Sequence, residues 1–175
     1  MFFSLIEKRR SIRKFKSQPI EKEKIDRIIE AALRSPSSRG FNPWHFIVVN
    51  KPELLAKLSQ AKPHGASFLK GAPLGIVICA DEKKCDVWVE DASIATIFIQ
   101  LAAEALDLGS CWIQIRKREH DSSMSADAYI GELLGLPENF RVESMVAIGY
   151  PDEDKKPHPK ESLQMEKVSY NGFGK

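Results

Sequence analysis

The chain is poor in the residues that build metal and disulfide centres. Its 175 residues hold three cysteines, Cys79, Cys85 and Cys111, an odd number with no C-x-x-C pair. That argues against a disulfide framework and against a structural zinc site. The four histidines, His45, His64, His120 and His158, are scattered without an H-x-x-x-H or Cys/His pairing and read as solvated side chains. No G-x-G-x-x-G follows an apolar run, and neither G-x-x-x-x-G-K-[ST] nor G-x-S-x-G occurs. A Rossmann site, a P-loop and a serine nucleophile elbow are therefore not expected. No apolar run approaches the ~18 residues of a membrane span. The opening MFFSLIEKRRS has its basic residues after its apolar ones, unlike a signal peptide. Charge of one sign is also lacking: 26 Lys plus Arg stand against 24 Asp plus Glu, a net +2. Neither a nucleic acid nor an anionic membrane is expected as a partner, and a reduced, cytoplasmic setting is the expectation.

What is present suits one domain of α and β elements over residues 1–175. Phe2 to Arg10 reads as a short helix. Glu21 to Arg34 is an amphipathic helix, with Ile25, Ile28, Ile29, Ala32 and Leu33 at spacings of three and four. Ser35 to Gly40 is a loop. His45–Asn50, Leu74–Ala80, Ser110–Ile115 and Arg141–Tyr150 read as strands, the second apolar enough to be covered on both faces. Helices are expected over Pro52–Ala61, Asp86–Leu108 (capped by Gly109) and Ser125–Leu134 (ended by Gly135). Lys62 to Pro73 is irregular. From Pro151 onward the chain is charged and proline-rich and reads as an extended arm. Strands alternating with helices imply an α/β or α+β sandwich around a central sheet.

The longest helix carries Ala92 to Ala103 with Ser93, Thr96 and Gln100 as its only polar members. A helix apolar all round needs cover all round. One side can meet the sheet; the other needs a second chain, so a homodimer is expected, against the alternative of a central helix in a monomer.

Lys8 to Lys16 holds six basic residues in nine, leaving 20 basic against 24 acidic residues elsewhere. This concentration on a slightly acidic body suits a local anion site; a solvated helix end favoured by the helix dipole is the plainer reading. Guanidinium groups grip phosphate bidentately and a serine hydroxyl adds a hydrogen bond, which singles out Arg9, Arg10, Ser11 and Arg13. Three other pieces join them: Pro36-Ser37-Ser38 leading to Asn42, the stretch Gly109 to Gln114, and the basic tail Lys156 to Lys160 with His158. Together they suggest a ligand with a phosphate at one end and a planar ring at the other.

The order RRSIRKF, SPSSRGFNPWHFIVVN, EDASIATIFIQLAAEALDLGSCWIQ, AIGYPDEDKKPHPK resembles the nitroreductase family of FMN-dependent oxidoreductases, from about Phe3 to Lys160. The resemblance implies an α+β, three-layer α-β-α sandwich in an intertwined homodimer, with an arm from about residue 151. It implies FMN as cofactor, NADH or NADPH as electron donor, and a nitroaromatic, quinone or similar small acceptor. By motif, Arg9, Arg10 and Ser11 would hold the phosphate and ribityl chain, and Arg13 the N1–O2 edge. Pro36, Ser37 and Ser38 would reach the partner's flavin, with Asn42 where the family often has Gln. The backbone at Trp112, Ile113 and Gln114 would run beside the ring, and His158 and Lys160 would close on the phosphate. Gly40 and His158 depart from the family's usual Asn and Lys or Arg. With no side chain assigned acid–base work, an FMN-binding storage or sensing module stays an alternative to an enzyme.

Overall fold

In a computed structural model, which describes residues 2–174, the chain folds around one antiparallel sheet. Its helices are α1 (Phe2–Lys8), α2 (Lys22–Leu33), α3 (Pro52–Leu58), α4 (Trp88–Ala105) and α5 (Ala126–Leu134). Its strands are β1 (Trp44–Val49), β2 (Leu74–Asp81), β3 (Gly109–Gln114) and β4 (Phe140–Gly149), in the order β1-β2-β4-β3. Every pairing between these strands is antiparallel, which resolves the sequence reading to α+β.

The apolar run of β2 is explained by its central place. Leu74, Ile76 and Ile78 pack towards α2 and α4 with Ile28, Ile99 and Val146. Val77 and Cys79 face the other way, among Leu55, Leu58, Ile113 and Ile130 from α3, β3 and α5. Helices thus cover both faces, giving three layers. The ends of α5 follow their residues: the Ser125 hydroxyl accepts the Ala128 N–H at 3.1 Å, and Gly135 closes the helix at φ 67°.

The structure corrects several sequence boundaries. α4 ends at Ala105, and the left-handed residue behind it is Asp107 (φ 60°), with the Leu108 N–H returning to the Ala103 carbonyl at 2.9 Å. Gly109 is not the cap; it opens β3. Its lack of a side chain serves packing, since a Cβ there would lie 2.8 Å from Cβ of Ile12. α3 stops at Leu58, and Ser67–Gly71 forms a 3-10 turn inside the segment read as irregular. The arm is not extended throughout: it turns at Lys160–Ser162 and Met165–Lys167, and is exposed from Lys156 to the end of the described residues. α4 is not covered on all sides in one protomer, where Ile94, Ile97 and Phe98 are exposed. Among the described residues no helix is long and apolar enough to cross a membrane.

Gly109→Ala is expected to cost roughly 1–3 kcal/mol by overpacking Ile12. Gly131→Ala, in α5 with open space at the Cβ position, is expected to gain about 0.5–1 kcal/mol. Chemical denaturation of both variants measures the contrast; equal effects would contradict it.

Candidate functional site

The basic segment is held as a strand-like ribbon between two structures. On one side Ser11 forms a parallel bridge to Ser110, and the Ile12 N–H donates to the Ser110 carbonyl at 3.0 Å. The Ile12 side chain, 7% exposed, fills the space over Gly109. On the other side lies the start of the arm. Glu153 Oε1 accepts the N–H of Arg13 at 2.5 Å and of Lys14 at 3.2 Å. Lys155 Nζ donates to the Ser11 carbonyl at 2.6 Å and pairs with Glu153 at 3.2 Å. The Asp152 N–H reaches the Lys14 carbonyl at 2.9 Å, and Phe15 bridges to Pro151. The Arg13 N–H, ahead of Lys155 and Lys14, holds the Glu153 carboxyl below its ordinary range.

These contacts fix where the cations point. Arg9, His158 and Lys160 line one cavity of about 650 Å³ between α1 and the arm, with Lys8, Ile6 and Leu163. That volume falls within the roughly 300–1,000 Å³ usual for small-molecule sites. Arg10 turns aside and donates to the Lys156 carbonyl. The Ser11 hydroxyl faces Cys111, whose thiol is pushed up chiefly by burial. The Arg13 guanidinium lies 5.7 Å from the centre of the Phe68 ring.

β3 supplies an edge. It pairs with β4 on one side only, and Ser110 turns its carbonyl outward to Ile12. With a two-residue period, the backbone N–H groups of Trp112 and Gln114 point the same way. The Trp112 indole N–H donates to Gln114 Oε1 at 2.9 Å, and Gln114 Nε2 donates to the Arg116 carbonyl at 3.0 Å. Ile113, 1% exposed, faces the core.

Pro36–Ser38 is not brought to this cluster within one protomer. Ser37 and Asn42 bond each other: the Ser37 hydroxyl donates to Asn42 Oδ1 at 2.6 Å, and the Asn42 N–H returns to Ser37 Oγ at 2.9 Å. The Ser38 N–H donates to Asp91 Oδ1 at 2.8 Å, at the start of α4. Lys8 and Arg9 instead bear on Glu104, near the end of α4, where burial pushes the carboxyl up and these two cations oppose it. Asp91 and Glu104 are thirteen positions apart on α4, roughly 20 Å at 1.5 Å per residue.

Sequence reasoning missed several participants. Asp91, in the first turn of α4 where acids complement the helix dipole, is buried at 2% exposure and anchors the Ser38 loop. Asp86 lies before the helix and pairs with Arg39 at 2.7 Å. His120 is not solvated: it is half-buried, stacked on Tyr129 with ring centres 4.0 Å apart. Glu153 and Lys155 lay in a charged run read only as a tail, although acids facing a basic stretch are the signal for such a clamp. Among the described residues, no group of three or more His, Cys, Asp or Glu is placed to hold a metal.

The family model described as the nitroreductase family matches residues 6–62 and 60–150. The chain belongs to the nitroreductase family. A solved FMN-dependent nitroreductase from Clostridium difficile R20291 superposes with a TM-score of 0.97 at 52% identity, over 98% of this chain and 99% of that one. A protein of Archaeoglobus fulgidus, provisionally named NADH dehydrogenase/NAD(P)H nitroreductase, is 44% identical over 155 residues, 86% of each chain. Its counterpart of the same provisional name in Methanothermobacter thermautotrophicus is 40% identical over 152 residues, 85% of this chain and 76% of that one. The three-layer arrangement is thus the nitroreductase fold.

Glu153→Ala is expected to lower amide-exchange protection at Arg13 and Lys14 about tenfold, the scale of one charge-assisted hydrogen bond. Because the folded carboxyl titrates below its unfolded value, the clamp is complete above the ordinary Glu range and is lost as pH falls through the lower folded value. Wild type therefore loses protection at these two amides on acidification and the variant does not. Matching exchange profiles in the two proteins would contradict the clamp.

Proposed function

We propose that this nitroreductase-family chain is an FMN-dependent oxidoreductase that passes a hydride from NADH or NADPH to a nitroaromatic, quinone or similar small acceptor. The observation that carries the reading is the convergence of Arg9, His158 and Lys160 on one cavity, next to a segment docked on the open edge of β3. The residues fit a phosphorylated, planar cofactor. Fixed cations suit a phosphate, and the outward N–H groups of Trp112 and Gln114 suit a heterocycle edge. The C. difficile relative is described as FMN-dependent. Residues 1–175 act as one FMN-binding unit whose arm begins at about residue 151.

When bound, FMN would supply the hydride-transfer chemistry that links the nicotinamide to the acceptor in a ping-pong scheme. The protein's part is binding, orientation and charge. Arg9 and Lys160 would hold the phosphate, and His158 lines the same cavity. Ser11 donates its hydroxyl and Arg10 adds charge beside it. Arg13 would supply a fixed cation at the N1–O2 edge, where it would favour negative charge; this would be electrostatic preorganisation. Ile113 fixes the strand from the core side, and the outward N–H groups of Trp112 and Gln114 would meet the ring.

The remaining group, Pro36, Ser37, Ser38 and Asn42, completes the site of a second copy. Its distance along α4 from Arg9 supports this. So do the exposed Ile94, Ile97 and Phe98, spaced three and four apart on α4, which need cover. The active form is therefore a homodimer with two sites.

The test is an anaerobic titration of the purified protein. A yellow, FMN-loaded dimer that bleaches on addition of NADH or NADPH and recovers colour with a quinone supports the reading; a colourless monomer would overturn it. Arg9→Ala and Ser11→Ala are each expected to weaken FMN binding by roughly 10- to 100-fold, about 1.5–3 kcal/mol. Fluorescence titration measures this, and unchanged affinity in both variants counts against the assignment.

A further inference from the structure

The ordered edge continues past the end of β3. After Gln114 the chain makes a tight turn over Ile115 to Arg118, in which the Arg118 N–H donates to the Ile115 carbonyl at 3.0 Å. Lys117 takes the left-handed conformation at φ 58°, a costly place for a residue with a side chain. The turn is tied on two sides. The Ile115 and Arg116 N–H groups both donate to the Glu143 carbonyl of β4, at 3.2 and 3.0 Å, and the Arg118 carbonyl accepts the Ala126 N–H of α5 at 2.9 Å. Three successive cations, Arg116, Lys117 and Arg118, are thus held on a fixed backbone two to four positions beyond Gln114.

The three cations line a cavity of about 350 Å³ with Trp88 at the head of α4. The Arg116 guanidinium stands 5.9 Å from the centre of the half-buried Trp88 ring. Arg141 lines the cavity too, and so do three acids, Glu82, Glu119 and Asp127. Two of these acids are already paired: Arg141 meets Glu82 at 2.7 Å and Asp127 at 4.0 Å. Among the described residues Arg116, Lys117 and Arg118 form no salt bridge, and the Arg118 guanidinium donates to the Lys117 carbonyl at 3.2 Å. The cavity therefore presents three unpaired cations against one unpaired acid, Glu119. Burial also pushes up the carboxyls of Asp127 and of Glu143 beside the turn, towards their uncharged forms.

We propose that this cavity is an anion subsite, in which Arg116, Lys117 and Arg118 take the acidic group of a flavin substrate while Trp88 packs against its ring. Guanidinium groups grip carboxylate and phosphate bidentately and keep their charge at every working pH. Trp88 offers an aromatic face beside them. The volume lies at the low end of small-molecule sites and suits one small ring with its acidic group. The acceptors favoured by such a site are nitroaromatics or quinones that carry a carboxylate. A phosphate on the nicotinamide donor has the same chemistry, and the two sources are separable. Turnover of the captured substrate rests on the proposed FMN site; its capture by these cations does not.

The experiment follows the Trp88 indole ¹⁵N–¹H resonance, assigned with Trp88→Phe, while FMN-treated protein is titrated with 4-nitrobenzoate or with uncharged nitrobenzene. 4-Nitrobenzoate moves the resonance saturably and binds roughly tenfold more tightly than nitrobenzene, the scale of a charge-assisted contact. That preference shrinks with added salt. It is lost in Arg116→Gln and in the double variant Lys117→Asn with Arg118→Gln. Asn tolerates the left-handed backbone, so the double variant keeps the turn even if Arg116→Gln disturbs Trp88. NADP⁺ and NAD⁺, compared in the same way, identify the source. A preference for NADP⁺ that the variants lose, with none for 4-nitrobenzoate, keeps the subsite but overturns the acidic acceptor in favour of the donor's phosphate. Equal binding within both pairs, or an anion preference that the variants retain, overturns the subsite. If anions bind as expected but the protein takes up no FMN, the subsite stands and the cofactor reading falls.

Discussion

The arrangement depends on one docking contact, the seating of Ser11 and Ile12 on the edge of β3. A single backbone bond from the Ile12 N–H to Ser110, and an isoleucine side chain over a glycine, turn a basic stretch into a fixed array. Without that seat, the six cations of Lys8 to Lys16 would repel one another along a mobile chain. With it, their backbone is fixed between β3 and the arm, and Arg9 lines the cavity of the arm. The acids at Asp152 to Asp154 supply the opposing charge. Glu153 takes two backbone N–H groups, and so restrains the ribbon while leaving the guanidinium groups of Arg9 and Arg13 for other partners.

The sheet explains why the site lies where it does. β2 and β4 are buried between helical layers and offer no free edge. β3 is covered only as far as Ser110 by the docked ribbon, so its far half keeps outward N–H groups. An exposed strand edge is a liability that proteins usually cover; here the proposed cofactor provides the cover. The same logic applies to α4. Its inner side packs on the sheet through Ala92, Thr96, Ile99 and Ala103, and its outer side carries Ile94, Ile97 and Phe98 into solvent in one copy. A second copy would shield that side and bring a Pro36–Ser38 loop that the first copy holds at the wrong end of the helix.

Much of this was legible in the residues. The 3.6-residue period of α2 and the unbroken apolar run of β2 report burial directly, and both elements fall within a residue or two of expectation. The basic segment was legible as a concentration of positive charge, because that is a local property. Other features depend on contacts between distant residues. Gly109 follows a helix, as capping glycines do, but Asp107 took the left-handed turn and the glycine was needed for Ile12. Asp91 fits a helix-dipole pattern, and nothing in its neighbourhood in sequence reveals the Ser38 N–H 53 positions away. His120 looked solvated amid polar residues because its stacking partner, Tyr129, lies beyond a turn.

The central claim is that docking, and not the mere presence of basic residues, creates the phosphate site. Ile12→Pro tests it most directly, since it deletes the N–H that reaches Ser110 and keeps every cation and hydroxyl. FMN affinity of the folded variant, measured by fluorescence titration beside wild type, should fall by about 100-fold, the scale of losing the preorganised charge-assisted contacts. Wild-type affinity in Ile12→Pro would show that the cations suffice without their seat, and would contradict the account.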